Sequence, residues 1–122
     1  MDVIESNIQT NSSDFQENSK YMMQLTSELA ENLQSVREQG VSEAAKLHIS
    51  RGKMLVRDRV KVLVDPGTPF LEFSPLASWQ MYEDDNPGGG IVTGIGIIHG
   101  KQVVIVANDA TIKGGTYYPI TV

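Results

Sequence analysis

The sequence predicts an α/β fold in which helices come first and a β-hairpin follows. The hairpin is predicted by two runs rich in Val and Ile, at 91–98 and 102–107, because β-branched side chains favour strands. His99-Gly100 separates the runs, and a two-residue loop that ends in Gly is typical of a tight primed turn. The helices are predicted by apolar residues spaced three and four apart, which form one stripe on a helix surface.

The first predicted helix covers residues 14–39. Ser13 is its expected N-cap, Gln16 completes a capping box, and Gly40 ends the helix. This helix is expected to pack on something outside itself, either the rest of the domain or another subunit, because its polar face is broad. Residues 1–12 are polar and are expected to form a disordered tail. The apolar stripe consists of Met22, Leu25, Leu29, Leu33 and Val36.

Two shorter helices and a turn are predicted next. Ser42 can cap a helix over 42–51, with Gly52 as its stop. Residues 55–64 favour a short helix through their apolar spacing. Asp65-Pro66-Gly67 then predicts a turn, because Pro restricts φ and Gly accepts a positive φ.

The second strand of the hairpin is expected to be the buried strand of the sheet. Val103 to Ala107 is apolar at every position, which predicts a strand buried on both faces of a sheet. A short strand at 70–73 should precede the hairpin and end at Ser74-Pro75. The hairpin leads into the polar, glycine-rich segment 108–115, and ligands of α/β folds tend to lie at such strand exits. Pro119 can open a further helix.

Composition excludes several classes of function. The chain has no Cys, which rules out disulfides, thiolate metal sites and Cys nucleophiles, and fits a reducing compartment. No apolar run has transmembrane length, and the acidic N-terminus resembles neither a secretory signal nor an Arg-rich transit peptide, so we expect a cytoplasmic protein. The net charge is −5, yet most of the basic residues lie within 46–61. This distribution suggests a local anionic ligand rather than nucleic acid.

Familiar cofactor and catalytic motifs are incomplete. Gly94, Gly96 and Gly100 have the spacing GxGxxxG and fall in or after a strand, so close strand packing is favoured over a dinucleotide site. His48 and His99 lack the spacing of a metal motif, and no Ser lies in a nucleophile elbow. The acidic residues at 83–85 indicate a solvated loop more than a cation site.

Two segments of the sequence each allow two interpretations. The basic segment 46–61 is either a solvated helix face or an inter-subunit salt-bridge surface, or it is a site for phosphate groups. Lys113-Gly114-Gly115 is either a turn that needs positive φ or a set of backbone N–H groups that line an anion or acyl pocket. The residues alone do not decide between them.

Five segments, in the same order, resemble the carboxyltransferase (β) subunit of biotin-dependent acyl-CoA carboxylases. They are HISRGK at 48–53, RDR at 57–59, DPGTPFLE at 65–72, PGGGIVTGIG at 87–96 and ANDATIKGGTYYP at 107–119. The resemblance extends from about residue 15 to the end. Within the family, NDATIKGGTYYP is similar to the methylcrotonyl-CoA and geranyl-CoA branch, whereas the propionyl-CoA branch differs at the double glycine.

The resemblance implies a crotonase-like fold, a repeated ββα superhelix, of which this chain would be the N-terminal portion with leading amphipathic helices. It implies transfer of a carboxyl group from carboxybiotin, carried on a partner (α) subunit, to an acyl-CoA. The expected substrate is 3-methylcrotonoyl-CoA, an intermediate of leucine degradation, with propionyl-CoA or geranyl-CoA as alternatives. It also implies a homo-oligomer with a hexameric core, no metal, and neither nucleic acid nor membrane as a partner.

The resemblance, the charge cluster and the glycine pair together suggest where the acyl-CoA binds. The expected CoA contacts are Arg51 and Lys53 for the phosphates, and Lys113, Gly114 and Gly115 for the acyl pocket.

No catalytic residue is expected in this chain. In the family, the paired N–H groups that stabilise the thioester enolate and the biotin enolate lie beyond the matched stretch. Residues 13–122 are therefore expected to be an incomplete N-terminal domain that is inactive and weakly folded alone. The alternative is a non-catalytic module that docks on full-length subunits through the helix at 14–39.

Overall fold

The computed structural model describes residues 6–38, 42–83 and 86–122. The chain divides into two units, residues 1–32 and 33–122, each described here by itself. Helices precede an antiparallel sheet, and the predicted α/β class is confirmed. The elements are α1 (Ser13–Arg37), α2 (Glu43–Ser50), α3 (Val56–Leu63), β1 (Leu71–Phe73), β2 (Ile91–Ile98), β3 (Lys101–Asn108) and short 3-10 turns at Lys113–Gly115 and Pro119–Thr121.

Helix α1 begins one residue away from the predicted cap. The hydroxyl of Ser12 accepts a hydrogen bond from the backbone N–H of Phe15 at 3.2 Å, which is the N-cap pattern. The prediction of Ser13 as the cap was therefore wrong, and the capping box with Gln16 falls out of register. The predicted disorder of residues 1–12 stays a prediction, and residues 1–5 lie outside the described part.

The apolar stripe of α1 is exposed within the first unit. Met22, Leu25 and Leu29 are 55%, 40% and 50% exposed, and no described residue of α1 is buried. The helix ends at Arg37, slightly earlier than predicted, and the predicted stop at Gly40 lies outside the described residues. The expectation that this stripe packs on the rest of the domain or on another subunit stays a prediction.

Helices α2 and α3 confirm the predictions from capping and spacing. The Ser42 hydroxyl accepts a hydrogen bond from the N–H of Ala45 at 3.1 Å, and Gly52 follows the helix with φ of 72°. Gly67 has φ of 78° in the predicted turn after α3. Pro119 opens the last 3-10 turn, as expected of a residue with a preset φ.

The sheet has the order β1-β2-β3, with both pairs antiparallel. Leu71 of β1 pairs with Ile95 of β2, and β2 and β3 form the predicted hairpin. His99 and Gly100 have φ of 50° and 74°, and two successive positive φ values define the primed turn that matches the strand twist. The central strand is therefore β2, and β3 is an edge strand.

One face of the sheet is covered and the other is exposed. Val60 of α3 is buried at 4% exposure and Ile105 of β3 at 7%, whereas Val104 and Val106 are 71% and 63% exposed. The prediction that β3 is buried on both faces was therefore wrong. Successive side chains of a strand point to opposite faces, and α3 lies against only one of them. Leu71 adds to the exposed apolar face at 62%.

No helix among the described residues combines the length and the apolar character needed to cross a bilayer.

Candidate functional site

The exit from β3 is folded by a buried aspartate. Asp109 is 6% exposed, and its Oδ1 accepts hydrogen bonds from the N–H and the hydroxyl of Thr111 at 2.9 and 2.6 Å. Its own N–H donates to the carbonyl of Gly90 at 2.9 Å. This Asx turn redirects the chain immediately after the strand, since a short carboxylate can replace the backbone acceptor of a turn.

The next residues form a left-handed bend, which we call the KGG bend (Lys113–Gly115). Lys113, Gly114 and Gly115 have φ of 46°, 66° and 86°. Glycine adopts this region without the Cβ clash that other residues suffer, so the prediction of a turn that needs positive φ is confirmed. The Gly115 N–H donates to the Ile112 carbonyl at 2.8 Å. Among the described residues, neither the N–H of Lys113 nor that of Gly114 donates a hydrogen bond, so the bend can offer both to a ligand.

Lys113 is held over an aromatic pair. Its Nζ lies 4.6 Å from the centroid of the Tyr118 ring, and this ring lies 4.5 Å from that of Tyr82. Tyr118 is 5% exposed, whereas Lys113 is exposed. The cation–π contact directs the ammonium without neutralising it, so the KGG bend combines a positive charge with an unpartnered N–H.

A cavity of about 260 Å³ lies at the start of this bend. Thr111 and Ile112, which lead into the bend, contribute to its wall, but none of the five predicted CoA contacts does. Its lining is mostly apolar, and the Nδ2 of Asn86 is buried there without a hydrogen-bond partner. Other lining residues are Ala45, Arg57, Trp79, Val92 and Asp109.

The basic segment 46–61 is not one continuous patch. Arg57 forms a bidentate ion pair with Glu72 of β1, with Nη2 to Oε1 at 2.5 Å and Nε to Oε2 at 3.3 Å. Arg59 donates to the carbonyl of Asn108 at 2.9 Å, and Lys46 pairs with Glu43 at 2.7 Å. Arg57 and Lys46 therefore form ion pairs within the chain and Arg59 is held by a backbone carbonyl, whereas an inter-subunit salt-bridge surface stays a prediction.

Arg51 and Lys53 differ from these cations. Both are exposed in the connection between α2 and α3, and neither forms an ion pair within the described residues. Their charges therefore remain available to an anionic ligand. No described contact joins them to the KGG bend, so a common site for the two segments stays a prediction.

Two structural pairings escaped the sequence analysis. Asp65 Oδ1 and Oδ2 accept hydrogen bonds from the N–H groups of His99 and Gly100, both at 2.7 Å, and so fasten the turn after α3 to the hairpin loop. The N–H donors of Gly100 and His99 lower the pKa of Asp65. The second pairing joins Arg57 to Glu72, which is largely but not fully buried. The local signal, Asp before Pro-Gly, predicted only a turn, because no pattern in the sequence announces a partner over thirty residues away.

Within the described ranges, no group of His, Asp and Glu side chains is arranged to hold a metal ion. The acidic residues Asp84 and Asp85 lie outside the described residues, so the choice between a solvated loop and a cation site stays open there.

Comparison with known proteins decides the family. Residues 47–122 match the family model of the carboxyl transferase domain. The chain belongs to the carboxyl transferase family. It is 48% identical over 121 residues to the mitochondrial methylcrotonoyl-CoA carboxylase beta chain of Dictyostelium discoideum, covering 98% of this chain and 21% of that protein. It is 58% identical over 98 residues to the biotin-dependent 3-methylcrotonyl-coenzyme A carboxylase beta1 subunit of Mycobacterium tuberculosis, covering 80% and 18%.

A solved structure agrees with these relatives. The beta subunit of geranyl-CoA carboxylase from P. aeruginosa superposes with a TM-score of 0.76 at 38% identity, over 93% of this chain and 21% of that one. The predicted branch of the carboxyl transferase family and its crotonase-like fold class are thereby confirmed for this part of the fold. The chain spans about a fifth of the length of these relatives.

Proposed function

We propose that this chain forms the N-terminal part of a carboxyltransferase subunit that moves a carboxyl group from carboxybiotin to an acyl-CoA. The first candidate substrate is 3-methylcrotonoyl-CoA. The observation that carries the proposal is the similarity over 98% of the chain to a methylcrotonoyl-CoA carboxylase beta chain. Biotin, on a partner subunit, would supply the carboxyl group, and we assign no described residue to hold it. Assembly into a homo-oligomer and location in the cytoplasm are part of the proposal.

The contribution of this chain would be binding of the thioester rather than proton transfer. The N–H of Gly114 would donate to a carbonyl of the acyl-CoA, since a glycine lets the ligand approach the backbone closely. Arg51 and Lys53 would pair with the CoA phosphates, for which charge-assisted hydrogen bonds are well suited. The enolate-stabilising groups would lie in polypeptide outside this chain, so the chain by itself is expected to have no carboxylation activity.

A chimera tests this proposal. The segment of the M. tuberculosis beta1 subunit that matches this chain would be replaced by this chain, and the purified complex would be assayed with three thioesters. We expect carboxylation of 3-methylcrotonoyl-CoA with a higher kcat/KM than that of propionyl-CoA or geranyl-CoA. The unmodified beta1 complex is the control. A chimera that assembles normally but carboxylates none of them, or prefers propionyl-CoA, would contradict the proposal.

The phosphate contacts have their own test in the active chimera. Arg51→Ala and Lys53→Ala should each raise KM for the acyl-CoA by about 3- to 10-fold, as for exposed but charge-assisted contacts, and leave kcat unchanged. Lys61→Ala is the matched control, because Lys61 is an exposed cation of the same segment. If KM is unchanged in the first two variants, or raised equally in all three, the phosphate role is wrong.

A second candidate function is a non-catalytic module that docks on full-length subunits. It is favoured by the exposed apolar stripe of α1, in which Met22 and Leu29 are 55% and 50% exposed. Size-exclusion chromatography of the 122-residue chain with the complete M. tuberculosis beta1 subunit would detect such docking. Co-elution that is lost in Leu29→Lys would support the module, and separate elution would exclude it.

A further inference from the structure

Two glycines before β2, Gly89 and Gly90, contact residues on both sides of the KGG bend. A Cβ at Gly90 would lie 3.3 Å from Cγ2 of Ile112, just before the bend. A Cβ at Gly89 would lie 3.5 Å from Cγ2 of Ile120, just after the bend. Gly89 and Gly90 also have φ of 65° and 74°. The two arms of the bend therefore contact one glycine turn, Gly88–Gly90. A Cβ at Gly90 would crowd Ile112, whereas one at Gly89 would make an ordinary contact with Ile120, so Gly89 is required by its positive φ alone.

Each arm is also hydrogen-bonded to this glycine turn. On the upstream side, the N–H of Asp109 donates to the carbonyl of Gly90 at 2.9 Å. On the downstream side, the hydroxyl of Thr121 donates to the carbonyl of Gly89 at 2.7 Å. The same hydroxyl oxygen accepts from the N–H of Tyr118 at 3.0 Å. Thr121 thus joins the glycine turn to the residue whose ring lies under Lys113.

We propose that Thr121 is a positioning residue for the acyl-CoA site: its hydroxyl fixes the downstream arm of the KGG bend to Gly89. The N–H of Gly114 is thereby held in the conformation that receives the ligand. Without the hydroxyl, the downstream arm loses two hydrogen bonds, while the upstream arm keeps Asp109. The bend then occupies its binding conformation for a smaller fraction of the time, and the apparent affinity falls by that fraction. This proposal rests on the proposed function.

The kinetic test uses the active chimera with Thr121→Val, which keeps the shape and removes both hydrogen bonds. KM for 3-methylcrotonoyl-CoA should rise by about 5- to 10-fold with kcat changed less than about twofold, because a non-reacting contact is affected. Thr121→Ser keeps the hydroxyl and should restore KM. The matched control is Thr68→Val, which removes a hydroxyl that donates to the carbonyl of Asp65 at 2.7 Å, at the opposite end of the hairpin.

A merely structural role would lower the melting temperature in Thr121→Val and in Thr68→Val alike without moving KM in either. The proposal requires that KM rise only in Thr121→Val. An unchanged KM in that variant, or an equal rise in both, would overturn it.

Hydrogen exchange separates this proposal from the proposed function. Measured by mass spectrometry on the chimera, exchange over residues 113–118 should accelerate several-fold in Thr121→Val and stay unchanged in Thr68→Val. If the unsubstituted chimera is inactive but this acceleration is seen, the proposed function fails and the fixing of the bend by Thr121 stands. If exchange over the bend is unchanged in Thr121→Val, the positioning role fails even where the chimera is active.

Discussion

Replacing Gly94 by Ala should break the contact between β1 and β2. A Cβ at Gly94 would collide with the backbone carbonyl oxygen of Leu71 and lie 2.5 Å from Cζ of Phe70. The phenyl ring can rotate, but the carbonyl belongs to the paired strand and can move only if β1 shifts. Overpacking costs about 1–3 kcal/mol, and we expect the upper end, about 3 kcal/mol. This corresponds to a melting temperature lower by about 12–24 °C for a domain of this size.

The assay is thermal unfolding of the 122-residue chain followed by circular dichroism, because the expected shift is worked for a domain of this size. Gly88→Ala is the matched control, since its Cβ would find its nearest neighbour, the Pro75 carbonyl oxygen, at 3.6 Å. Both replacements reduce the entropy of the unfolded chain equally, so this effect cancels in the comparison. The control should melt within about 4 °C of the parent. If Gly94→Ala melts as the control does, the close-packing explanation of the glycine spacing is wrong.

Two further predictions concern the charged contacts. Asp65→Asn should lower the free energy of unfolding near pH 7 but not in acid. The pKa of Asp65 is lowered in the folded state, so the ionised aspartate stabilises the fold at neutral pH. This contribution is lost as the pH falls through the pKa of the folded state. Urea unfolding at both pH values checks this, and a pH-independent difference would contradict it. Arg57→Met should cost about 3 kcal/mol because the Glu72 side chain is only 11% exposed. Lys46→Met, which breaks an exposed pair with Glu43, should cost less than about 0.5 kcal/mol in the same unfolding assay, and equal losses would refute the argument.

Local features of the fold were predictable from the sequence. The hairpin loop at His99-Gly100, the cap at Ser42 and the turn at Gly67 depend on side chains and φ angles within a few residues, so a short stretch of sequence contains the necessary information. The KGG bend belongs to the same group, since its glycines are required by its own positive φ values.

The candidate site was predictable only in part. Arg51 and Lys53 are exposed cations without a described ion pair, and their role toward phosphates stays a prediction, whereas Arg57 is paired with Glu72 and Arg59 with the carbonyl of Asn108. Contacts within the chain therefore occupy part of the basic cluster. The sequence shows where the charged residues are but not which distant residue each of them will contact. The roles of Gly89 and Gly90 under the bend were likewise not visible, because they depend on residues that follow the hairpin.

The amino-acid sequence by itself determined the class of fold, the family resemblance and the places where the chain turns. These depend on periodicity, on caps and on residues that tolerate positive φ, all of which act over one or two turns of backbone. Only the tertiary structure decided which face of β3 is covered, which cations stay free and what holds the KGG bend in place. Those outcomes arise from contacts between segments far apart in the chain, and their energies are set by burial and geometry that exist only after folding.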